Sequence, residues 1–203
     1  MTTITVPPKS ATAPSAGPAR WNWTRDDFTR MDELGFFEGQ RVMLIDGEVI
    51  AMSPMNEAHA RGIVFSLQAL EAAFGPSVTY RSQMPMDLGQ RTDPEPDIAV
   101  IDGPPRSQPA APPSAALLVV EVANHSLGYD LGDKSSLYAA AGIADYWGLD
   151  VANARLHIHR DPHPDSSQRF GCRYSVQRVL RPTDRVSPLA ALSSSILVAD
   201  MLP

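Results

Sequence analysis

Cysteine is almost absent. Cys172 is the only one in 203 residues, so no disulfide can form within the chain, and a reducing compartment, the cytoplasm, is the expected location. No apolar run approaches the ~20 residues needed to cross a bilayer, so no membrane span is expected. The first stretch, MTTITVPPKSATAPSAGPAR, lacks the continuous apolar centre of a secretory signal. Its Pro, Ala, Ser and Thr content predicts a disordered arm over residues 1–20. Positive charge is also short: the formal net charge is −6, which counts against a generally sticky nucleic-acid binder. No serine or cysteine nucleophile with a matched base is visible, nor is an internal repeat.

What is present reads as one globular domain over 21–203, with 43% hydrophobic and 20% charged residues. Thr24 and Asp27 form a capping box ahead of the stripe Phe28, Met31, Leu34, and Gly35 ends that helix. Arg41–Asp46 and Glu48–Ser53 are strand-like runs around Asp46-Gly47, a strong hairpin signal. A second helix runs from about Asn56 to Phe74 and stops at Gly75-Pro76. Strands are expected at about 77–82, 84–88, 97–101, 117–122, 145–150, 155–160 and 173–180. A third helix is expected from an Asp130 cap, with Asp133 at the capping-box position, to Gly142. Ser187–Leu202 has no clear pattern. Strand 117–122, the third helix and strand 145–150 form a possible crossover unit, so the expected fold class is α/β, a mixed β-sheet flanked by helices.

Two acids stand out. Asp97 opens the apolar run Pro-Asp-Ile-Ala-Val-Ile (96–101), and Glu121 interrupts Leu-Leu-Val-Val-Glu-Val (117–122), a strand apolar enough to be buried on both faces. A carboxylate there is costly to desolvate unless a cation compensates it. Asp97 is also readable as a turn acid at a strand edge, and Glu121 as half of a buried salt bridge. Leu131, Lys134, Leu137, Tyr138 and Ala141 share one helical face, which places Lys134 on a sheet-facing stripe. A lysine snorkelling at the edge of that stripe is the plain alternative.

The stretches LIDGEVIAMSP (44–54), PEPDIAV (94–100), LLVVEVANHS (117–126) and DLGDKSSLYAAAGIADYWGLD (130–150) resemble the Uma-type restriction-endonuclease family of the PD-(D/E)XK nuclease superfamily, over roughly residues 24–160. The resemblance implies a restriction-endonuclease-like α/β/α core and a Mg²⁺- or Mn²⁺-dependent endonuclease acting on DNA. Asp97 and Glu121 would be metal ligands, and Lys134 would position water or stabilise the transition state. One departure matters. The superfamily's usual lysine falls two residues after the glutamate, where this chain has Ala123, and the resemblance puts the substitute at Lys134.

The same motif carries Glu48 as a possible further catalytic acid, though a surface turn acid fits its place equally well. His59, in the first turn of the second helix, could contact phosphate or cap the helix. Asn124 and Ser126, with His125 between them, follow the central strand and could line a cleft against substrate. His157 and His159 share a strand face and, with Asp161 and His163 nearby, could bind a transition metal; an exposed strand face is the bland reading. Arg173, Arg178, Arg181 and Arg185, with Arg81 and Arg91, could meet phosphates or simply be solvated. Tyr146 and Trp147 are expected in the core. A homodimer would suit duplex cleavage by two single-site subunits. The rival function is a nuclease fold that binds nucleic acid or protein without cutting, favoured by Ala123 and the acidic charge.

Overall fold

The structure, a computed structural model, describes residues 20–52 and 54–203. The expected arm, apart from Arg20, therefore lies outside the described residues. Helix α1 (Arg25–Glu33) begins at Thr24, whose hydroxyl accepts from the Asp27 N–H while the Asp27 carboxylate accepts from the Thr24 N–H. Strands β1 (Val42–Ile45) and β2 (Glu48–Ala51) pair antiparallel as a separate hairpin. Its turn has Asp46 at φ 49° and Gly47 at φ 78°, the left-handed pair that matches strand twist. Gly47 is further constrained because a Cβ there would lie 2.8 Å from Asn22 Cβ.

Helix α2 (Glu57–Phe74) is capped by Asn56, which accepts from the His59 N–H, and ends at Gly75. The remaining long strands form one mixed sheet in the order β3 (Val78–Arg81), β4 (Ile98–Asp102), β5 (Leu118–Ala123), β6 (Asp145–Asp150), β7 (Arg155–Pro164) and β8 (Cys172–Leu180). Every neighbouring pair is antiparallel except β5–β6, which is parallel across a helical crossover. Side-chain alternation splits this sheet into two cores. Ile98, Val100, Val120, Val122, Trp147 and Leu149 face α2 and the C-terminal segment. Ala99, Ile101, Val119 and Tyr146 face the crossover helix. Each fully buried Val, Leu or Ile stabilises the fold by roughly 1.5–3 kcal/mol. Gly62 lets α2 approach closely, since a Cβ there would meet Val122 Cγ1 at 2.8 Å.

Two expectations are corrected. Residues 84–88 are not a strand: Gln83 has φ 52°, Pro85 offers no donor, and the segment bonds instead to loops through Met86 N–H to Pro94 O and Asp87 N–H to Pro113 O. Asp130 does not cap the crossover helix. That helix starts earlier as α3 (Leu127–Tyr129), passes through a π-helical turn over Asp130–Lys134, and continues as α4 (Ser135–Ala140). In the π turn the Ser135 N–H reaches the Asp130 carbonyl, five residues back. The Ser187–Leu202 region contains the short antiparallel strand β10 (Ile196–Leu197), paired with β9 (Arg185–Val186), and buries Val198 and Met201 against the α2 core. Among the described residues no helix is long and apolar enough to cross a membrane.

Candidate active site

The cleft forms where β4 enters the sheet and β5 leaves it. The β4–β5 register pairs Ile98 with Val120 and Ala99 with Val119. Asp97 immediately precedes β4, and its carboxylate reaches the β5 backbone at Val122, the residue after Glu121. Both acids are buried, and both line a cleft of about 360 Å³.

Each carboxylate is held by named partners. Asp97 Oδ2 accepts from the Val122 backbone N–H at 2.8 Å, and Oδ1 accepts from His59 Nε2 at 2.9 Å. Glu121 Oε2 meets the Lys134 ammonium at 2.9 Å, and Oε1 accepts from the Tyr138 hydroxyl at 2.8 Å. Lys134 is 6% exposed, so it is a buried cation rather than a snorkelling one. Its ammonium also lies 3.5 Å from Asp130 Oδ1, and Asp130 Oδ2 accepts from the Ser126 hydroxyl.

The charge balance follows from this geometry. Burial pushes the Glu121 carboxyl up to about 8; Asp97 and Asp130 add to that rise, against the pull of Lys134. Burial opposes charge on Lys134, but the Glu121 and Asp130 carboxylates outweigh it and raise its pKa. Burial likewise works against the Asp97 anion, yet the hydrogen bond and charge of His59, with the Val122 N–H, hold its carboxyl below the usual range. His59 is raised in turn by its bond to Asp97. Three buried acids thus face two basic groups, Lys134 and His59.

That donor set fits a hard divalent ion. Mg²⁺ is commonly held by one or two carboxylates and keeps waters and phosphate oxygens for its other positions. Among the described residues no group of three or more His, Cys, Asp and Glu is arranged to hold a metal, so a cage built wholly from protein is not available there. The two strand histidines gather no third ligand. His159 is buried, not exposed as the bland reading had it; it bonds Ser135 Oγ at 2.8 Å and packs beside Tyr146 and Tyr174.

Of the residues singled out in the sequence, Asp97, Glu121, Lys134, His59, Asn124 and Ser126 all line the cleft. Glu48 is placed outside that lining: its carboxylate pairs with Arg169 at 2.8 Å and with Arg20 at 3.2 Å. Arg169 also holds Asp133 at 2.8 Å, so this acid ties the β1–β2 hairpin to the π turn. Tyr146 and Trp147 are fully buried, as expected. Asp130 and Tyr138 were missed as site residues. Their signals were the i, i+4 spacing of Asp130 with Lys134 and the place of Tyr138 one turn beyond it.

The whole fold is similar to the crystal structure of a "putative nuclease belonging to DUF820" from Anabaena variabilis ATCC 29413, with a TM-score of 0.62 and 12% identity, over 88% of this chain and 96% of that one. No curated protein matches the sequence. The Uma2 family, described as "Putative restriction endonuclease", matches residues 25–199, and the chain belongs to that family.

Proposed function

We propose that the protein is a metal-dependent endonuclease that hydrolyses DNA phosphodiester bonds. The carrying observation is that Asp97, bonded to the Val122 N–H, and Glu121 line one cleft as buried acids, with the Lys134 ammonium 2.9 Å from Glu121. Mg²⁺ or Mn²⁺ held between the two carboxylates would supply Lewis-acid activation of water and offset phosphate charge. Lys134 is positioned to orient the attacking water and to stabilise negative charge on the phosphorus oxygens, an electrostatic contribution that a buried site strengthens. Tyr138 and Asp130 hold Glu121 and Lys134 in place, and His59 fixes the Asp97 rotamer from α2. Asn124 and Ser126 lie where substrate would pass. A subunit with one such site cuts one strand at a time, so duplex cleavage calls for a homodimer.

The test is nicking of supercoiled plasmid by the purified protein. Cleavage should need Mg²⁺ or Mn²⁺, stop with chelator, and fall by more than about a hundredfold in Glu121→Gln, as losses at electrostatic catalytic groups do. Protein that binds plasmid but never nicks it with either ion would instead support a binding module.

A further inference from the structure

Part of the cleft plays no role in the carboxylate chemistry. Met43 and Ile50 from the hairpin, Met52 and Met55 beyond it, and Tyr129 from α3 line the same cavity as Asp97 and Glu121. This wall is built rather than incidental, because Ile50, Met52 and Tyr129 pack onto the small cluster of Met43, Ile45 and Leu137. Among the described residues the buried Tyr129 hydroxyl has no hydrogen-bond partner, so this wall holds a polar group not used in packing. The cations around the cavity, by contrast, already have acidic partners. Lys134 serves Glu121 and Asp130, His59 serves Asp97, and Arg41 lies 3.6 Å from Glu95.

An intact duplex is gripped mainly by lysines and arginines on successive phosphates. This cavity offers thioethers and an aromatic ring instead. Thioether sulfur makes favourable contacts with aromatic rings, and apolar or aromatic side chains hold bases that have left the stack. A volume of about 360 Å³ lies in the range of pockets that enclose a small organic ligand. We propose that the cleft takes an unpaired nucleotide, whose base lies against Met52, Met55 and Tyr129 while its phosphate faces the divalent ion that Asp97 and Glu121 would hold. This rests on the hydrolytic reading of the cleft and narrows its substrate to single-stranded, bulged or frayed DNA.

The experiment compares one labelled oligonucleotide as a single strand, in a bulge and in full duplex, with the whole protein and Mg²⁺. Wild type should cut the first two at least about tenfold faster than the third. Met52→Ser combined with Met55→Ser should lose about tenfold on the unpaired forms, the scale of one lost stacking contact. Met55 is 42% exposed, so folding should survive, and a melting curve of the double variant checks this. Duplex cut as fast as single strand, or a preference that the two serines leave untouched, overturns the inference and leaves hydrolysis standing. Fluorescence anisotropy on the same single strand separates the remaining outcomes. Methionine-dependent binding without cleavage supports the ligand and sinks the nuclease; neither binding nor cleavage sinks both.

Discussion

Lys134 carries much of the charge balance of the cleft. Its ammonium is the near partner of Glu121 and also faces Asp130. Replacing it by an apolar residue leaves buried carboxylates without that partner, and breaking a buried pair in this way costs about 3–5 kcal/mol. Lys134→Met should therefore destabilise the protein by that amount at pH 9 in chelator, where wild-type Glu121 is ionised, read from urea unfolding. Adding Glu121→Gln should recover most of the loss, because the amide still accepts from Tyr138 and needs no counter-ion. Strictly additive losses would mean the two groups do not interact as their geometry requires. Asp97, Glu121 and Lys134 were legible in the sequence because each breaks an apolar pattern. Asp130 was not, since an acid at a helix start is the ordinary sight of a cap.

At the level of elements, the π turn sets which side chains look into the cleft. It accommodates one more residue per turn than an α-helix, so the Leu127–Tyr129 and Ser135–Ala140 segments are offset by about 100° from a regular helix. Deleting Gly132, which has open space around it, should let the segment close as a plain α-helix. Far-UV circular dichroism should then be preserved, while DNA cleavage falls by more than about a hundredfold because Asp130 and Lys134 no longer meet Glu121 together. Cleavage at the wild-type rate would contradict a role for the turn. Local rules explain which elements could be read in advance. The Asp46-Gly47 hairpin, the Thr24–Asp27 box and the Asn56-to-Gly75 helix each have their signal within a few residues. The 84–88 segment has the composition of a strand, but the left-handed Gln83 and the donorless Pro85 break its entry, and its Met86 and Asp87 N–H groups bond to loops instead of a strand. The π turn, the β9–β10 pair and the Glu48–Arg169–Asp133 link depend on tertiary partners that no sequence window contains.

The molecule as a whole joins two cores through one sheet, and its stability should register protons taken up outside the cleft lining. His159 is buried between the crossover helix and the tyrosines of the sheet; burial, with a smaller push from His157, lowers its pKa to about 4. The unfolded chain protonates this group near 6.5, so between the two values the unfolded state binds more protons. The stabilisation is therefore present above pH 6.5 and is lost as pH falls from there toward 4, by up to about 3 kcal/mol. His159→Asn keeps a polar atom for Ser135 and should flatten that acid limb relative to wild type, as thermal melts across pH 4–7 would detect. Parallel curves for the two proteins would place the acid sensitivity elsewhere. The proposed cleft chemistry turns on Asp97 and Glu121 sharing one divalent ion. The most direct test is a crystal grown with Mn²⁺ and measured at the manganese absorption edge. An anomalous peak within about 2.0–2.4 Å of one oxygen from each carboxylate is the expected result. A peak coordinated elsewhere, with the Lys134–Glu121 pair and the His59–Asp97 pair undisturbed at saturating Mn²⁺, would contradict it.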